Sequence, residues 1–276
     1  MVTSFSGNPV LIQQCRADIN AVKNGSTPLI LAARLGQDFA VELLLSQAEI
    51  QVNLRDRYGA AVWHAACQGH ASTLQKLLEA PQIRVNDFDI KYGLTPLAVA
   101  VAKGYEATVK LLLGDHHVNV NSVDKTRRTP IFGAIARGHQ GILKSLLSHQ
   151  QTDVNFRDSK GRTPLLYAMY KKPSMASLLL YDPRILIDFQ DYTGCTAVWI
   201  RVKKNKQQFV EHLLRRGADP NIADYTRLTP LSLASKSGSI DILQLLLANG
   251  AHLHSRDEQG KTPLHHAALF GRDKLF

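Results

Sequence analysis

A Thr-Pro-Leu tripeptide recurs along this chain at nearly even intervals and limits what the chain can fold into. Successive copies, two of them degraded, are 33 to 35 residues apart. Self-similarity at a period of this length indicates a repeat array, in which each unit packs only on its neighbours. The copies begin at Thr27, Ala60, Thr95, Thr129, Thr163, Thr196, Thr229 and Thr262.

Each unit contains signals for two short helices and a turn. The threonine suits a helix N-cap, and the proline suits the first helical position, where a missing N–H costs nothing. A glycine such as Gly36 follows nine residues after the threonine. Glycine is favoured there because the residue that ends an α-helix often adopts the left-handed backbone conformation. A second helix carries long aliphatic side chains. The chain then runs extended through Val52 and Asn53 to a hairpin tip at Asp56–Gly59.

These units resemble ankyrin repeats. The resemblance implies an all-α solenoid with β-hairpin tips, built as a single array over residues 1–276. We expect an N-terminal half-repeat at 1–26 with an outer helix at 9–16, seven full repeats at 27–261, and a truncated half-repeat at 262–276. The array is similar to those of large fungal multidomain proteins, where it serves as a recognition arm. The two incomplete ends favour a fragment of a longer protein.

Two neighbouring units depart from the pattern. Lys172 stands where the capping glycine is expected, and one residue is missing from that turn. The next unit has Asn205 at the glycine position, which tolerates the left-handed conformation. It also has Arg201 where the family places a small buried alanine. One interpretation of these departures is neutral drift in a tolerant array. The alternative is a local kink or a surface adapted to a partner.

The sequence offers no convincing active site, and we expect no enzymatic activity and no cofactor. Gly260-Lys261-Thr262 resembles the end of a phosphate-binding loop, but Ser255 replaces the glycine that this motif requires. Most histidines, such as His70 and His139, occupy positions where the family itself prefers histidine, so no metal site is predicted. The histidines that lie close enough in sequence to suggest metal ligands are His116-His117, His252 with His254, and His265-His266.

Cysteine usage and the amino terminus bear on location. The three cysteines, Cys15, Cys67 and Cys195, show neither metal-ligand spacing nor a disulfide pattern. With no basic-then-apolar leader and no long apolar run, we expect an intracellular, cytoplasmic protein, with the nucleus as an alternative. The same features predict no membrane partner, and we expect a monomer.

The formal charge of +10 favours acidic partners. The first hypothesis is a non-catalytic scaffold that binds a protein with an acidic segment. The alternative is non-specific nucleic-acid binding by the basic surface, although its cations are dispersed and no known recognition motif appears.

In ankyrin arrays, as the resemblance implies, partners lie against the concave face formed by tips and inner helices. Tyrosine and arginine dominate interface energetics, and both are frequent at these positions here. The predicted partner-binding residues are Arg57, Tyr58, Lys91, Tyr92, Lys125, Arg128, Lys160, Arg162, Tyr170, Lys171, Tyr192, Lys203, Lys204 and Tyr225.

Two further groups have two interpretations each. Trp63, Phe132 and Trp199 could be packed between neighbouring repeats or could line a groove as anchors. A basic cluster could be a solvated edge or the binding site of an acidic segment. Its members are Lys171, Lys172, Lys203, Lys204, Lys206, Arg215 and Arg216.

Overall fold

The computed structural model describes residues 18–271, which form fifteen short α-helices. The chain divides into two units, residues 1–153 and 154–276. In the first unit the helices are α1 (Pro28–Leu35), α2 (Asp38–Leu45), α3 (Ala61–Gln68), α4 (Ala71–Leu78), α5 (Pro96–Lys103), α6 (Glu106–Gly114), α7 (Pro130–Arg137) and α8 (Gln140–Ser148). In the second they are α9 (Pro164–Lys171), α10 (Pro173–Leu180), α11 (Ala197–Lys203), α12 (Gln207–Arg215), α13 (Pro230–Ser237), α14 (Ile240–Ala248) and α15 (Pro263–Leu269).

The helices form inner and outer pairs, as the repeat predicts, with four pairs in the first unit and three pairs plus α15 in the second. The predicted outer helix at 9–16 lies outside the described residues. Asn24 and Gly25 form a tight turn before the first repeat, with both residues in the left-handed region. No helix between residues 18 and 271 has the length and apolar character needed to cross a bilayer.

The threonine and glycine signals set the limits of the inner helices. The Thr27 hydroxyl accepts a hydrogen bond from the Ile30 N–H at 3.2 Å, which satisfies a donor that the first helical turn leaves unpaired. Thr129 departs from this pattern, because its side chain makes no such bond. At the other end, Gly36 has a φ of 69° and ends α1 in the left-handed conformation.

Gly36 is also required by packing between repeats. A Cβ at this position would lie 2.7 Å from Nδ1 of His70, the residue that follows the next capping glycine. The His70 ring thus lies on the glycine of the preceding repeat, with its Nε2 at 3.2 Å from the Arg34 carbonyl oxygen. The same arrangement recurs where Tyr105 packs on Gly69. These glycines therefore connect neighbouring repeats as well as ending helices.

The core of each unit is a row of alanines on the inner helices facing leucines on the outer helices. Ala33 and Ala65 are fully buried, and their small side chains let the helices approach closely. Leu74, Leu77 and Leu112 are also fully buried. Because each helical pair presents apolar faces that only its neighbours cover, burial of these faces is the main stabilising contribution.

In most repeats an asparagine clamps the following connection. Asn86 donates from Nδ2 to the His117 carbonyl oxygen at 2.7 Å and accepts the Asn119 N–H at 2.8 Å. An amide can do both because it carries a donor and an acceptor. The same pair of bonds is made by Asn20, Asn53, Asn121, Asn155 and Asn221.

Asp188 replaces the asparagine in one repeat of the second unit. Its carboxylate accepts the Asp219 N–H at 3.2 Å. In the other repeats the amide also donates to the carbonyl two residues before that N–H, which here belongs to Gly217, but an ionised carboxylate has no hydrogen to donate. Burial, and secondarily the charge of Asp219, raise the pKa of Asp188. A carboxylate here therefore lacks the second bond of the clamp when it is ionised.

We predict that Asp188→Asn stabilises the protein by about 1 kcal/mol at neutral pH, because it restores the missing donor. A raised folded pKa means that ionised Asp188 destabilises the fold above that pKa. This destabilisation is relieved as the pH falls from the raised folded pKa of Asp188 toward the ordinary aspartate pKa of about 3.9. Urea denaturation at several pH values measures the gain, which should be largest at neutral pH.

The matched control is Asn221→Asp, which introduces a carboxylate at the equivalent position and should destabilise by a similar amount. If Asp188→Asn is neutral while Asn221→Asp is costly, the clamp is not what limits stability at position 188.

Candidate functional site

Each tip is organised by one aspartate rather than by long paired strands. The carboxylate of Asp89 accepts the N–H groups of Tyr92 and Leu94, both at 2.7 Å, and its own N–H reaches the Leu94 carbonyl at 3.0 Å. Within residues 18–271 the bridges of extended strand type are two isolated ones, Lys23 to Ser26 and Arg55 to Ala60. The other tips contain Asp56, Asp124, Asp158, Asp191, Asp224 and Asp257.

Backbone hydrogen bonds join neighbouring tips within each unit. In the first unit the Lys125 N–H donates to the Tyr92 carbonyl at 3.1 Å. In the second unit the Tyr192 N–H donates to the Lys160 carbonyl at 3.1 Å, and the Tyr225 N–H donates to the Thr193 carbonyl at 3.2 Å. The tips of Asp89 and Asp124 in the first unit, and those of Asp158, Asp191 and Asp224 in the second, are therefore held in fixed register.

The four predicted tip tyrosines all expose their rings to solvent. A cation lies over several of these rings: the Arg57 guanidinium carbon is 4.6 Å from the Tyr58 ring centre, and the Lys91 ammonium is 4.8 Å from that of Tyr92. Such contacts are attractive by about 0.5–1 kcal/mol at exposed sites, and they orient both groups. The exposed fractions are 40% for Tyr58, 55% for Tyr92, 61% for Tyr192 and 61% for Tyr225.

Most of the predicted cations are at the surface. Arg128 is half-buried. Tyr170 is also half-buried, and its hydroxyl donates to the Asp191 carboxylate at 2.9 Å. Burial, followed by this bond, raises the pKa of Tyr170. The exposed cations of the predicted set are Arg57, Lys91, Lys125, Lys160, Lys171, Lys203 and Lys204.

Arg162, which the sequence predicted to bind a partner, is buried and not part of the exposed surface. It is 7% exposed, and its Nε and Nη2 donate to the Asp158 carboxylate at 3.0 and 2.6 Å. Burial alone would raise the pKa of Asp158, but the hydrogen bonds and charge of Arg162 outweigh it and hold that pKa below the ordinary value. Arg162 stabilises its tip from the inside.

Arg157 holds a tip in place, a role not predicted from the sequence. It donates to the carbonyl oxygens of Gly161 and Gln190 at 3.1 and 2.9 Å, and its guanidinium carbon lies 5.3 Å from the Tyr192 ring centre. The available signal was an Arg-Asp pair before the tip, present also at Arg55.

Both tryptophans pack between repeats. Trp63 and Trp199 are 9% and 5% exposed, and their indole N–H groups donate to the carbonyl oxygens of Leu94 and Leu228 at 2.8 and 3.0 Å. Phe132 is 1% exposed. None of the three lines a groove. Instead, the Lys203 ammonium covers the Trp199 ring at 4.8 Å.

The histidines of the described chain serve mainly to hold turns. His266 lies 2.9 Å from the Asp257 carboxylate. Between residues 18 and 271, the one group with metal-ligand atoms close together is Asp115, His116 and His117, within 4.8 Å on a partly exposed turn. Asp115 accepts the His117 N–H at 2.8 Å, which is an ordinary aspartate turn.

Comparison with known proteins agrees with this architecture. A family model described as ankyrin repeats (3 copies) matches residues 3–89, 57–124, 97–191, 141–224 and 198–276.

Similar curated proteins are spider toxins. One is alpha-latrotoxin-Lg1a of Latrodectus geometricus, 32% identical over 111 residues, which is 40% of this chain and 8% of the toxin. Another is alpha-latrotoxin-Lh1a of Latrodectus hasselti, 38% identical over 84 residues, 30% of this chain and 6% of the toxin. The matched segments span less than a tenth of these relatives, and the comparisons do not support the finer resemblance to fungal proteins.

We predict that Arg162→Ala destabilises the protein by about 2–3 kcal/mol, because it removes two charge-assisted hydrogen bonds to the buried Asp158 carboxylate. The matched control is Lys160→Ala on the same tip, which removes an exposed charge and should change stability by less than about 0.5 kcal/mol. Urea denaturation measures both.

The stabilisation should depend on pH. Since the folded pKa of Asp158 is lowered, the pair contributes fully above the ordinary aspartate pKa, about 3.9, and its contribution is lost as the pH falls through the lowered value. A difference between wild type and Arg162→Ala that stays constant down to acid pH would contradict this assignment.

Proposed function

Since the chain belongs to the ankyrin-repeat family, we propose that it is a non-catalytic scaffold that binds a protein partner through its tips and the adjoining ends of its inner helices. The observation that carries the proposal is the set of exposed tip tyrosines, three of which, Tyr92, Tyr192 and Tyr225, lie on tips joined to a neighbour by backbone hydrogen bonds. A surface that is already ordered loses little conformational freedom on binding. Exposed aromatic rings on such a surface provide contact area at low entropic cost.

The partner is expected to contain an acidic segment. Cations accompany the tyrosines on the tips, and lysines continue along the ends of the inner helices in the second unit. Complementary charge mainly accelerates association and selects the partner, whereas buried aromatic contacts supply most of the affinity. The proposal therefore assigns affinity to the tyrosines and selectivity to the cations.

The proposed contact residues fall into two sets, one for each unit. The first set is Arg57, Tyr58, Lys91, Tyr92, Lys125 and Arg128. The second set is Lys160, Tyr170, Lys171, Tyr192, Lys203, Lys204 and Tyr225.

A pull-down tests this proposal, with the chain as bait beside a variant in which Tyr58, Tyr92, Tyr192 and Tyr225 are alanine. We expect the variant to lose its specific partners, because each truncated interface tyrosine costs on the order of 1–2 kcal/mol. Tyr181→Ala is the matched control, since Tyr181 is 77% exposed but lies at the end of α10, outside both sets. It should retain full recovery.

Equal recovery by wild type and the quadruple variant would show that the interface is elsewhere. The nucleic-acid alternative has a separate signature, because phosphate-dominated binding weakens steeply between low and physiological salt. Sustained nucleic-acid affinity at physiological salt, with no protein recovered, would replace the scaffold proposal.

A further inference from the structure

The side chain of Arg201 is buried in the second unit with unmet hydrogen-bond donors. It extends from α11 and is 1% exposed. Its Nε and Nη2 atoms have no hydrogen-bond partner among residues 18–271. A buried cation in this condition is costly, and such groups are rare in native structures. The position is one where the repeat pattern calls for a small alanine, so the arginine is not required by the fold.

The unpaired donors share one edge of the guanidinium group. Two other arginines of the second unit use this same edge to bind carboxylates. Arg184 donates from Nε and Nη2 to the two oxygens of Asp182 at 3.0 and 2.6 Å, and Arg162 donates from the same two atoms to one oxygen of Asp158. This planar fork matches an oxyanion with two oxygens on one centre.

Among the described residues, the Arg201 guanidinium packs on an aromatic ring and interacts with a neighbouring cation. Its guanidinium carbon lies 5.1 Å from the ring centre of Phe209 on α12. Burial lowers the pKa of Arg201, and no carboxylate contributes to that shift. Burial, and then the charges of Arg201 and Lys171, lower the pKa of Lys204. The charges of Arg201 and Lys171 thus both act on Lys204, and no carboxylate contributes to the pKa shift of either Arg201 or Lys204.

Lys204 is exposed and weakly held. Its ammonium donates to the Met169 and Tyr170 carbonyl oxygens at 3.4 and 3.3 Å, near the long limit for a hydrogen bond. It caps the C-terminus of α11, three residues beyond Arg201. Because these hydrogen bonds are long, displacement of this ammonium costs little.

We propose that Arg201, flanked by Lys171 and Lys204, is a binding site for an oxyanion with two oxygens on one centre, a carboxylate or a phosphate group. The anion accepts the Nε and Nη2 hydrogens and neutralises part of the surrounding positive charge. The site lies at the helix ends rather than on the tips, and it does not depend on the tip tyrosines.

Calorimetric titration and thermal unfolding test the proposal, with inorganic phosphate and a hexaglutamate peptide as separate probes. Ionic strength is held constant with chloride, because screening alone changes surface electrostatics. We expect wild type to bind at least one probe and to unfold about 3 °C higher at a tenfold excess over Kd. The probe with the larger shift identifies the source of the oxyanion.

Arg201→Met keeps an unbranched side chain, although a shorter one, and removes the charge. It should unfold at a higher temperature than wild type in chloride alone, and lose the shift produced by the probe. Lys206→Met is the matched control, an exposed cation of the same basic cluster, and should respond like wild type. The proposal is overturned if wild type responds to neither probe, or if Arg201→Met responds as strongly as wild type.

A second variant covers the case in which Arg201→Met does not fold, as judged by circular dichroism. Lys171→Met combined with Lys204→Met leaves Arg201 in place and should weaken binding of the probe at least several-fold. Unchanged affinity in this double variant would overturn the assignment of the site.

Discussion

Burial of one repeat against the next is the interaction on which the rest of this structure depends. Helices of seven to nine residues are too short to be stable alone in water, because nucleation of a helix is costly. The fully buried leucines of the outer helices and alanines of the inner helices are covered only when a neighbouring pair is present. The regular spacing of the Thr-Pro-Leu copies follows from this dependence, since the apolar faces of each helical pair must align with those of the next pair.

Polar groups in the connections then set the distance between repeats. The asparagine clamp reaches a connection about one repeat further along the chain, and it uses both the donor and the acceptor of the amide. The aspartate of each tip gathers the N–H groups of its own turn. These side chains satisfy backbone groups that short helices and turns leave unpaired, which would be expensive to bury. The surface cations and tyrosines are thus carried on a backbone that is already hydrogen-bonded.

The sequence was sufficient for the architecture because the repeat signals are local. Gly36 ends a helix through its own backbone conformation, and Asn205, with a φ of 51°, takes the left-handed conformation that its residue type tolerates. The direction of a tip side chain is different, because it depends on contacts across the turn. Arg162 and Lys160 occupy the same tip, and only the buried carboxylate of Asp158 turns one inward and leaves the other exposed. The roles of Arg157 and of the asparagine clamp likewise depend on carbonyl groups that no local pattern reveals.

The departures from the repeat pattern in the second unit have a common physical character. Asp188 brings a charge to a position where the other repeats have a neutral amide, and Arg201 brings one where the pattern has a methyl group. Each introduces a charge whose burial the neighbouring protein groups do not fully compensate, and burial shifts the pKa of each toward its neutral form. Asp188 can be neutralised by a proton, but an arginine keeps its charge at any physiological pH. A buried guanidinium group must therefore be balanced by an anion from outside the chain or remain a cost to stability. That difference is why the oxyanion site is assigned to Arg201 rather than to the more exposed lysines around it.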